Sequence, residues 1–385
     1  MADALDKDGR LRVVTLVDHL GSSGGGERLA MEISKRLDRE RFEPIHCASR
    51  WHPDGDYGPA NAAAAEELRA AGVRLIGLGR SSTLAVWSWA PLLRLLRRER
   101  VDVLHSHKFG SNVWGVLLAR AVRVPAVVAH EHTWSYEGQP LRKFLDRELI
   151  ARLSGAFVAV SHEDRRRMIE VEGIDPSDVV FVPNGIDALR EGDGARVRAE
   201  LGIEPGDPVI GAVAVLRPQK ALDVLVRAAG ELVRDHPRLR VLVAGEGPER
   251  AALEALIGEL GLGATVTLLG LRSDVPDVLA ALDVAVVSSS FEGTPLAVLE
   301  YMDAGLPVVA SRVGGIPDLI EHERHGLLVE PGDPAALAAA VGGLLRETER
   351  ARELGRAGRE RRRAEFSIDN TVRTLERMYL ELAGR

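Results

Sequence analysis

The chain is poor in the groups that several function classes require. Cys47 is its only cysteine, which excludes an intrachain disulfide and a cysteine-based zinc cluster. Aromatic residues make up 4% of the 385 residues, too few for the stacking platforms that grip single-stranded nucleic acid. No run approaches the roughly 20 apolar residues needed to span a bilayer. The N-terminus, MADALDKDGRLR, shows neither the apolar core nor the cleavage site of a signal peptide. There is no Walker A lysine, and no G-x-G-x-x-G follows the first apolar run, so neither ATP nor a nicotinamide dinucleotide is expected. A formal net charge of −7 gives no global pull towards nucleic acid or anionic lipid. A cytoplasmic protein without a nucleic-acid partner is expected.

What is present is an ordinary globular composition, 45% hydrophobic and 28% charged, on a chain long enough for two or three domains. Residues 1–187 carry 26 Lys+Arg and 26 Asp+Glu, which leaves 24 and 31 for the remainder. The acidity therefore sits in the second half, and affinity for a negative surface would have to come from the first.

Strand-like runs recur at 13–17, 43–48, 73–78, 101–105, 126–130, 156–160 and 179–182. Helical patterns separate them near 61–71, 88–99, 111–121, 140–153 and 162–171. Strands spaced by helices predict right-handed βαβ units and a parallel sheet. Turn residues and charge break the rhythm at 183–207, and a second series follows at 209–215, 240–244, 265–269, 284–287, 307–310 and 326–329. The expected organisation is an α/β protein with a Rossmann-like domain at 1–187, a linker at 188–207, a second Rossmann-like domain at 208–366 and a terminal helix at 367–385. A cleft between such halves is the usual place for a site. The arginine run Arg359, Arg361, Arg362 and Arg363 reads as a solvated helix face.

The most informative stretch is 288–317, SSSFEGTPLAVLEYMDAGLPVVASRVGGIP. A strand ends in serines, Glu292-Gly293-Thr294-Pro295 opens a helix, and Glu300 follows two turns on. Such a helix start offers backbone N–H groups and a positive dipole end to an anion, and a carboxylate there can accept hydrogen bonds from hydroxyls. The plain alternative is Glu292 as a capping charge. Arg217 and Lys220 fall where the second half's first strand meets its first helix, so they could neutralise a diphosphate; surface charges in a loop are the alternative. The glycine turn at 21–26 lets backbone approach a phosphate or sugar.

His105 and His107 close one strand, and His130 and His132 the next. Each i, i+2 pair is expected to turn its members to opposite sides, so no metal site is expected. Asp54-Gly55-Asp56 matches a short D-x-D pattern but reads as an ordinary turn. The segment 92–100, LLRLLRRER, reads as a helix packed on the sheet, with membrane-surface contact as the second reading.

Together these motifs resemble the large GT-B retaining glycosyltransferase family called family 4, over nearly the whole chain. The carriers are S-x-x-E-G-x-P-L-x-x-L-E, A-G-x-P-V-V-A-S and G-G-I-P within 288–317. Gly24-Gly25-Gly26-Glu27, Val182-Pro183-Asn184-Gly185-Ile186-Asp187 and Ala244-Gly245-Glu246-Gly247-Pro248 support them. The resemblance implies a nucleotide-diphospho-sugar substrate held mainly by the second half, with no cofactor and no metal. It implies that Glu292 meets sugar hydroxyls, that the backbone of Gly293, Thr294, Pro295 and Leu296 meets the sugar and diphosphate, that Glu300 holds the ribose, and that Lys220 holds the phosphates. His132 matches the histidine beside the reacting carbon, Gly24 and Gly25 match the loop over the donor phosphate, and the terminal helix is expected to cross back to the first domain.

Two features depart from the family pattern. The usual phosphate-binding arginine position holds Val215, with Arg217 as the nearby substitute, and the glycine that usually follows the lysine is Ala221. Asp318 stands where glutamate is commoner. The implied reaction moves a sugar to an unidentified acceptor hydroxyl with retention, and the first domain is the expected side for peripheral membrane contact. A binding protein without turnover, or another enzyme of this fold such as a sugar-nucleotide epimerase, is the alternative.

Overall fold

The computed structural model describes residues 9–21, 24–55, 57–82, 85–133 and 139–385. The chain divides into two compact units, one joining Met1–Gly185 to Ile368–Arg385 and the other comprising Ile186–Ser367. Asp56 of the D-x-D pattern lies outside the described residues.

The first unit holds a seven-stranded parallel sheet. Its strands are β1 (Leu11–Val17), β2 (Phe42–Ala48), β3 (Arg74–Gly77), β4 (Val103–His107), β5 (Ala126–Glu131), β6 (Ala156–Ala159) and β7 (Val179–Phe181), in the order β3-β2-β1-β4-β5-β6-β7. The second holds β8 (Val209–Val213), β9 (Arg240–Ala244), β10 (Val266–Gly270), β11 (Val284–Val287), β12 (Val308–Ser311) and β13 (Leu327–Val329), in the order β10-β9-β8-β11-β12-β13. Each expected run is one of these strands. Every residue of β4, β5, β11 and β12 is buried, as parallel strands covered on both faces require. In both sheets the order reverses between the first and fourth strands, and ligands of such sheets bind beyond the carboxyl ends at that point. The relevant neighbours are β1 with β4 and β8 with β11.

The segment read as a linker is part of the second unit. It carries a helix, Gly194–Glu200, capped by Asp193, which accepts from Arg196 N at 3.0 Å. Arg190 and Arg196 reach Asp277 at 2.6 and 2.8 Å. Side chains at Gly192 and Gly194 would meet the carbonyls of Pro276 and Ala280 at 2.0 and 2.2 Å, so these glycines let the segment lie against backbone. Their role there is packing, which turn composition alone does not reveal.

The terminal helix, Ile368–Leu382, belongs to the first unit. Tyr379 is fully buried and meets Phe42 edge-to-face at 6.2 Å, Thr371 Oγ1 donates to Pro183 O at 2.9 Å, and Asp38 N donates to Glu376 at 2.7 Å.

His46, on β2, is fully buried with Nδ1 3.0 Å from Ser34 Oγ, whose own proton goes to Ala30 O. Burial pushes its pKa down from 6.5 to about 4. The unfolded imidazole protonates first as the pH falls, so the unit holds the whole of this group's contribution above pH 6.5. It loses about 1.4 kcal/mol per pH unit from this group below that point. All five tryptophans lie between Trp51 and Trp134, so their fluorescence reports this unit alone. The urea midpoint read by tryptophan fluorescence is expected to fall between pH 7 and 4.5. His105, His107, His130 and His132 of the same unit are also held below their ordinary pKa and Asp146 above its own. His46→Asn, which keeps a donor for Ser34, should therefore lessen that slope by up to about 1.4 kcal/mol per pH unit without abolishing it; an unchanged slope would show that His46 makes no contribution.

Candidate functional site

In the second unit, the loops leaving β8 and β11 are stitched together. Ser288 Oγ donates to Lys220 O at 2.9 Å, and Ser290 N donates to Gln219 O at 2.8 Å. Gln219 Nε2 returns a bond to Phe291 O at 2.9 Å. Glu292 sits where these loops meet. It is 7% exposed and accepts from Lys220 Nζ at 2.6 Å, Ser289 Oγ at 2.7 Å and Gln219 Nε2 at 3.4 Å. The two residues assigned separately to sugar and phosphate thus form an ion pair with each other.

Backbone contacts set this geometry. Gly314 has φ +51, and a side chain there would lie 1.7 Å from Glu292 O, while Gly315 N donates to Gly293 O at 2.9 Å. The helix Leu296–Asp303 starts behind Pro295 without a side-chain cap, so its first N–H groups are available to a ligand. Glu300 and Tyr301 follow on it, both buried. Tyr301 Oη accepts from Val213 N at 2.6 Å and thereby ties the helix to the end of β8. Tyr301, Ser289, Lys220, Glu292 and Pro295 line one small cavity with residues of β8 and β11. Sequence reading missed Gln219 and Tyr301, which no signal marked, and gave no role to Ser289, the first residue of the S-x-x-E-G motif.

Arg217 is exposed, at the start of the 3₁₀ turn Pro218–Lys220. The next residue, Ala221, has φ +43 and ψ +47. That is the left-handed region, which costs a residue with a Cβ about 1–2 kcal/mol and explains why glycine is usual after the lysine.

In the first unit, Gly24 is the N-cap of the helix Gly25–Arg36. A side chain at Gly26 would lie 2.9 Å from the His132 ring, so the ring rests against the start of that helix. Buried Glu27 pairs with Lys108 Nζ. The glycine loop after β1 and the residues ending β4 and β5 therefore converge, bringing Gly24, Gly25 and His132 into one region with Glu27 and Lys108.

The histidines contradict the expectation that each pair diverges. Side chains at i and i+2 of a strand share a face, and β4 runs two residues further than expected, which puts His107 in register with His130. His105 Nε2 lies 3.1 Å from His130 Nδ1, and His107 Nδ1 lies 3.0 Å from His132 Nε2. These two edge-linked pairs stack, with ring centroids 4.2 Å apart for His105 and His107 and 4.5 Å for His130 and His132. Tyr379 Oη closes the far end, 2.6 Å from His105 Nδ1. Burial first, and neighbouring imidazoles second, hold His105, His107 and His132 well below their ordinary pKa, and burial takes His130 down to about 3. The block is neutral at pH 7.

Solved structures share this architecture. Anabaena Alr3699/HepE in complex with UDP-glucose superposes with a TM-score of 0.83 at 21% identity, over 97% of this chain and 100% of that one. WaaG, a glycosyltransferase involved in lipopolysaccharide biosynthesis, superposes with a TM-score of 0.72 at 17% identity, over 97% and 100%. The fold is that of the GT-B glycosyltransferases. The profile of Glycosyltransferase Family 4 matches residues 23–190, and that of Glycosyl transferases group 1 matches residues 194–361. The chain belongs to this family. The D-inositol 3-phosphate glycosyltransferase of Nocardia farcinica is 36% identical over 275 residues, 66% of this chain and 61% of that protein. The match thus spans about three fifths of that relative's length. The UDP-Gal:alpha-D-GlcNAc-diphosphoundecaprenol alpha-1,3-galactosyltransferase of Escherichia coli is 27% identical over 84% of this chain and 85% of that protein.

Positions 221 and 314 give opposite expectations. Ala221→Gly removes left-handed strain and should leave stability unchanged or raise it by up to about 1 kcal/mol, since glycine's greater unfolded freedom offsets part of the gain. Gly314→Ala forces Glu292 O to move and should destabilise the second unit by about 2 kcal/mol or more. Urea unfolding followed by circular dichroism checks both, and a neutral Gly314→Ala would contradict the contact.

Proposed function

We propose that this chain is a retaining glycosyltransferase that moves a sugar from a nucleotide-diphospho-sugar to an acceptor hydroxyl. The observation that carries this reading is the Lys220–Glu292 pair at 2.6 Å, beyond the switch point of β8 and β11 and beside an uncapped helix start. On this reading the donor diphosphate takes Lys220, with exposed Arg217 as the second cation in place of the one missing at Val215. Glu292 is then released to accept from sugar hydroxyls. The backbone N–H groups near Leu296 face the diphosphate, and Glu300 holds the ribose. That the structural neighbours HepE, with UDP or UDP-glucose, and TarM, with UDP, carry this nucleotide supports a uridine donor.

The acceptor attacks from the face that the diphosphate leaves, and the departing phosphate takes its proton. The protein supplies positioning and electrostatic stabilisation of the leaving group. Two cations and a helix start meet that charge, so the donor site itself calls for no metal. His132, held against Gly26, is the residue of the first unit assigned to the reacting sugar. The relatives' names, an inositol 3-phosphate and a lipid-linked diphosphate, support a phosphorylated hydroxyl compound as the acceptor.

A thermal-shift panel of nucleotide sugars tests the reading. One donor should raise the melting temperature, since a ligand bound only by the folded state stabilises it, and slow release of its nucleotide should follow. Glu292→Ala and Lys220→Ala should each lower that release by about 10²-fold or more. Binding without release under any acceptor mixture would favour a binding protein instead.

We also propose peripheral membrane contact through the first unit. Trp87 is 89% exposed, and on the helix Pro140–Leu145 Leu141 and Phe144 are 71% and 53% exposed beside Arg142 and Lys143. Among the described residues no helix is long and apolar enough to cross a membrane. Cosedimentation with anionic vesicles should be lost in Trp87→Ser with Leu141→Ser, and equal binding by this variant would reject these residues as the contact.

A further inference from the structure

Sugar transfer assigns a role to one ring of the histidine block and leaves three unexplained. His107 Nε2 and His130 Nε2 are buried and have no hydrogen-bond partner, although these residues are in register across β4 and β5. Two orphaned nitrogens on adjacent strands of one face run against the rule that buried polar atoms are paired. One nitrogen each from His105, His107 and His130 lies within 4.8 Å of the other two.

We propose that His105, His107 and His130 form a binding site for one divalent transition ion of the zinc class. Zinc bound by imidazole at 2.0–2.1 Å holds its nitrogens about 3.4 Å apart in a tetrahedral site, so closure asks the nitrogens to draw in by about an ångström and the stacked rings to turn towards one point. Three imidazoles suit zinc, copper or nickel far better than magnesium or calcium. The outer hydrogen bonds that orient two of the three metal-bound imidazoles are already in place, since His105 Nδ1 faces Tyr379 Oη and His107 Nδ1 faces His132 Nε2. The His105 Nε2–His130 Nδ1 contact is given up when His105 Nε2 turns to the ion. The ion gives both orphaned nitrogens a partner and leaves a fourth position for water or hydroxide, whose charge offsets part of the cation's. It also fixes His132. With His107 Nε2 on the metal, His107 donates from Nδ1 to His132 Nε2, and the proton of His132 sits on Nδ1. This inference is independent of the proposed transfer reaction.

The test uses the full chain without an affinity tag, stripped by chelator and titrated with Co²⁺ alone. One saturable equivalent with the intense visible bands of four-coordinate cobalt, bleached by Zn²⁺, is expected. X-ray absorption of the zinc-loaded wild-type protein should count at least three imidazoles. His107→Phe and His130→Phe should each weaken binding at least 100-fold, while His52→Ala, a surface control, changes nothing. No saturable binding, a six-coordinate spectrum, fewer than three imidazoles, or undiminished binding in folded variants would overturn the site. Should both variants fail to fold, the wild-type absorption spectrum decides alone.

Discussion

Each unit depends on one constraint, that parallel strands all end at the same edge of their sheet. Helices then leave that edge to one face or the other, and where the order reverses two neighbouring loops part and stay uncovered. In the second unit these are the loops after β8 and β11, and every contact of Glu292 with Lys220, Gln219 and Ser289 comes from them. In the first they are the loops after β1 and β4, which carry Gly24–Glu27 and Lys108. The candidate site residues of both units are concentrated where the topology leaves room for them, and the backbone contact between Gly314 and Glu292 fixes how closely the loop after β12 approaches the loop after β11.

The strands were legible because a strand of a parallel sheet is a short, largely apolar run between turn residues, and thirteen such runs stand clear of their surroundings. Their ends were less so. In the sequence β4 reads two residues short because Ser106 and His107 look like the start of a polar loop, whereas both are buried. That misplacement, together with a mistaken alternation for i and i+2, hid the histidine block. The segment at 188–207 looked like a linker because it is rich in glycine and charge. Gly192 and Gly194 are there so that backbone can touch backbone, and the arginines answer Asp277 from 80 or more residues away. A contact of that range leaves no local trace.

The site divides in the same way. Glu292, Glu300 and Lys220 were legible because a local motif could single each of them out, the first two on one strand-turn-helix unit and Lys220 on another. Tyr301 was not, because its hydroxyl acts on Val213, which a local pattern cannot anticipate. Ala221 lies between these cases. Its sequence signal was only an alanine where glycine is usual, and the left-handed backbone supplies the physical reason that glycine is preferred there.

On the proposed reading, the Lys220–Glu292 pair selects for a whole donor over its parts. Each residue satisfies the other in the free protein, so a ligand that takes only one leaves the other charge half-buried and unpartnered, which is costly. A free phosphate that draws Lys220 away leaves Glu292 with two neutral donors, Ser289 and Gln219. A free sugar that occupies Glu292 must compete with the ammonium already on it. Only a molecule that brings anionic phosphate and sugar hydroxyls at a fixed spacing replaces both halves of the pair at once. Specificity of that kind comes from leaving the wrong ligand's partner unpaired, and it needs no contact beyond those the two loops already hold in place.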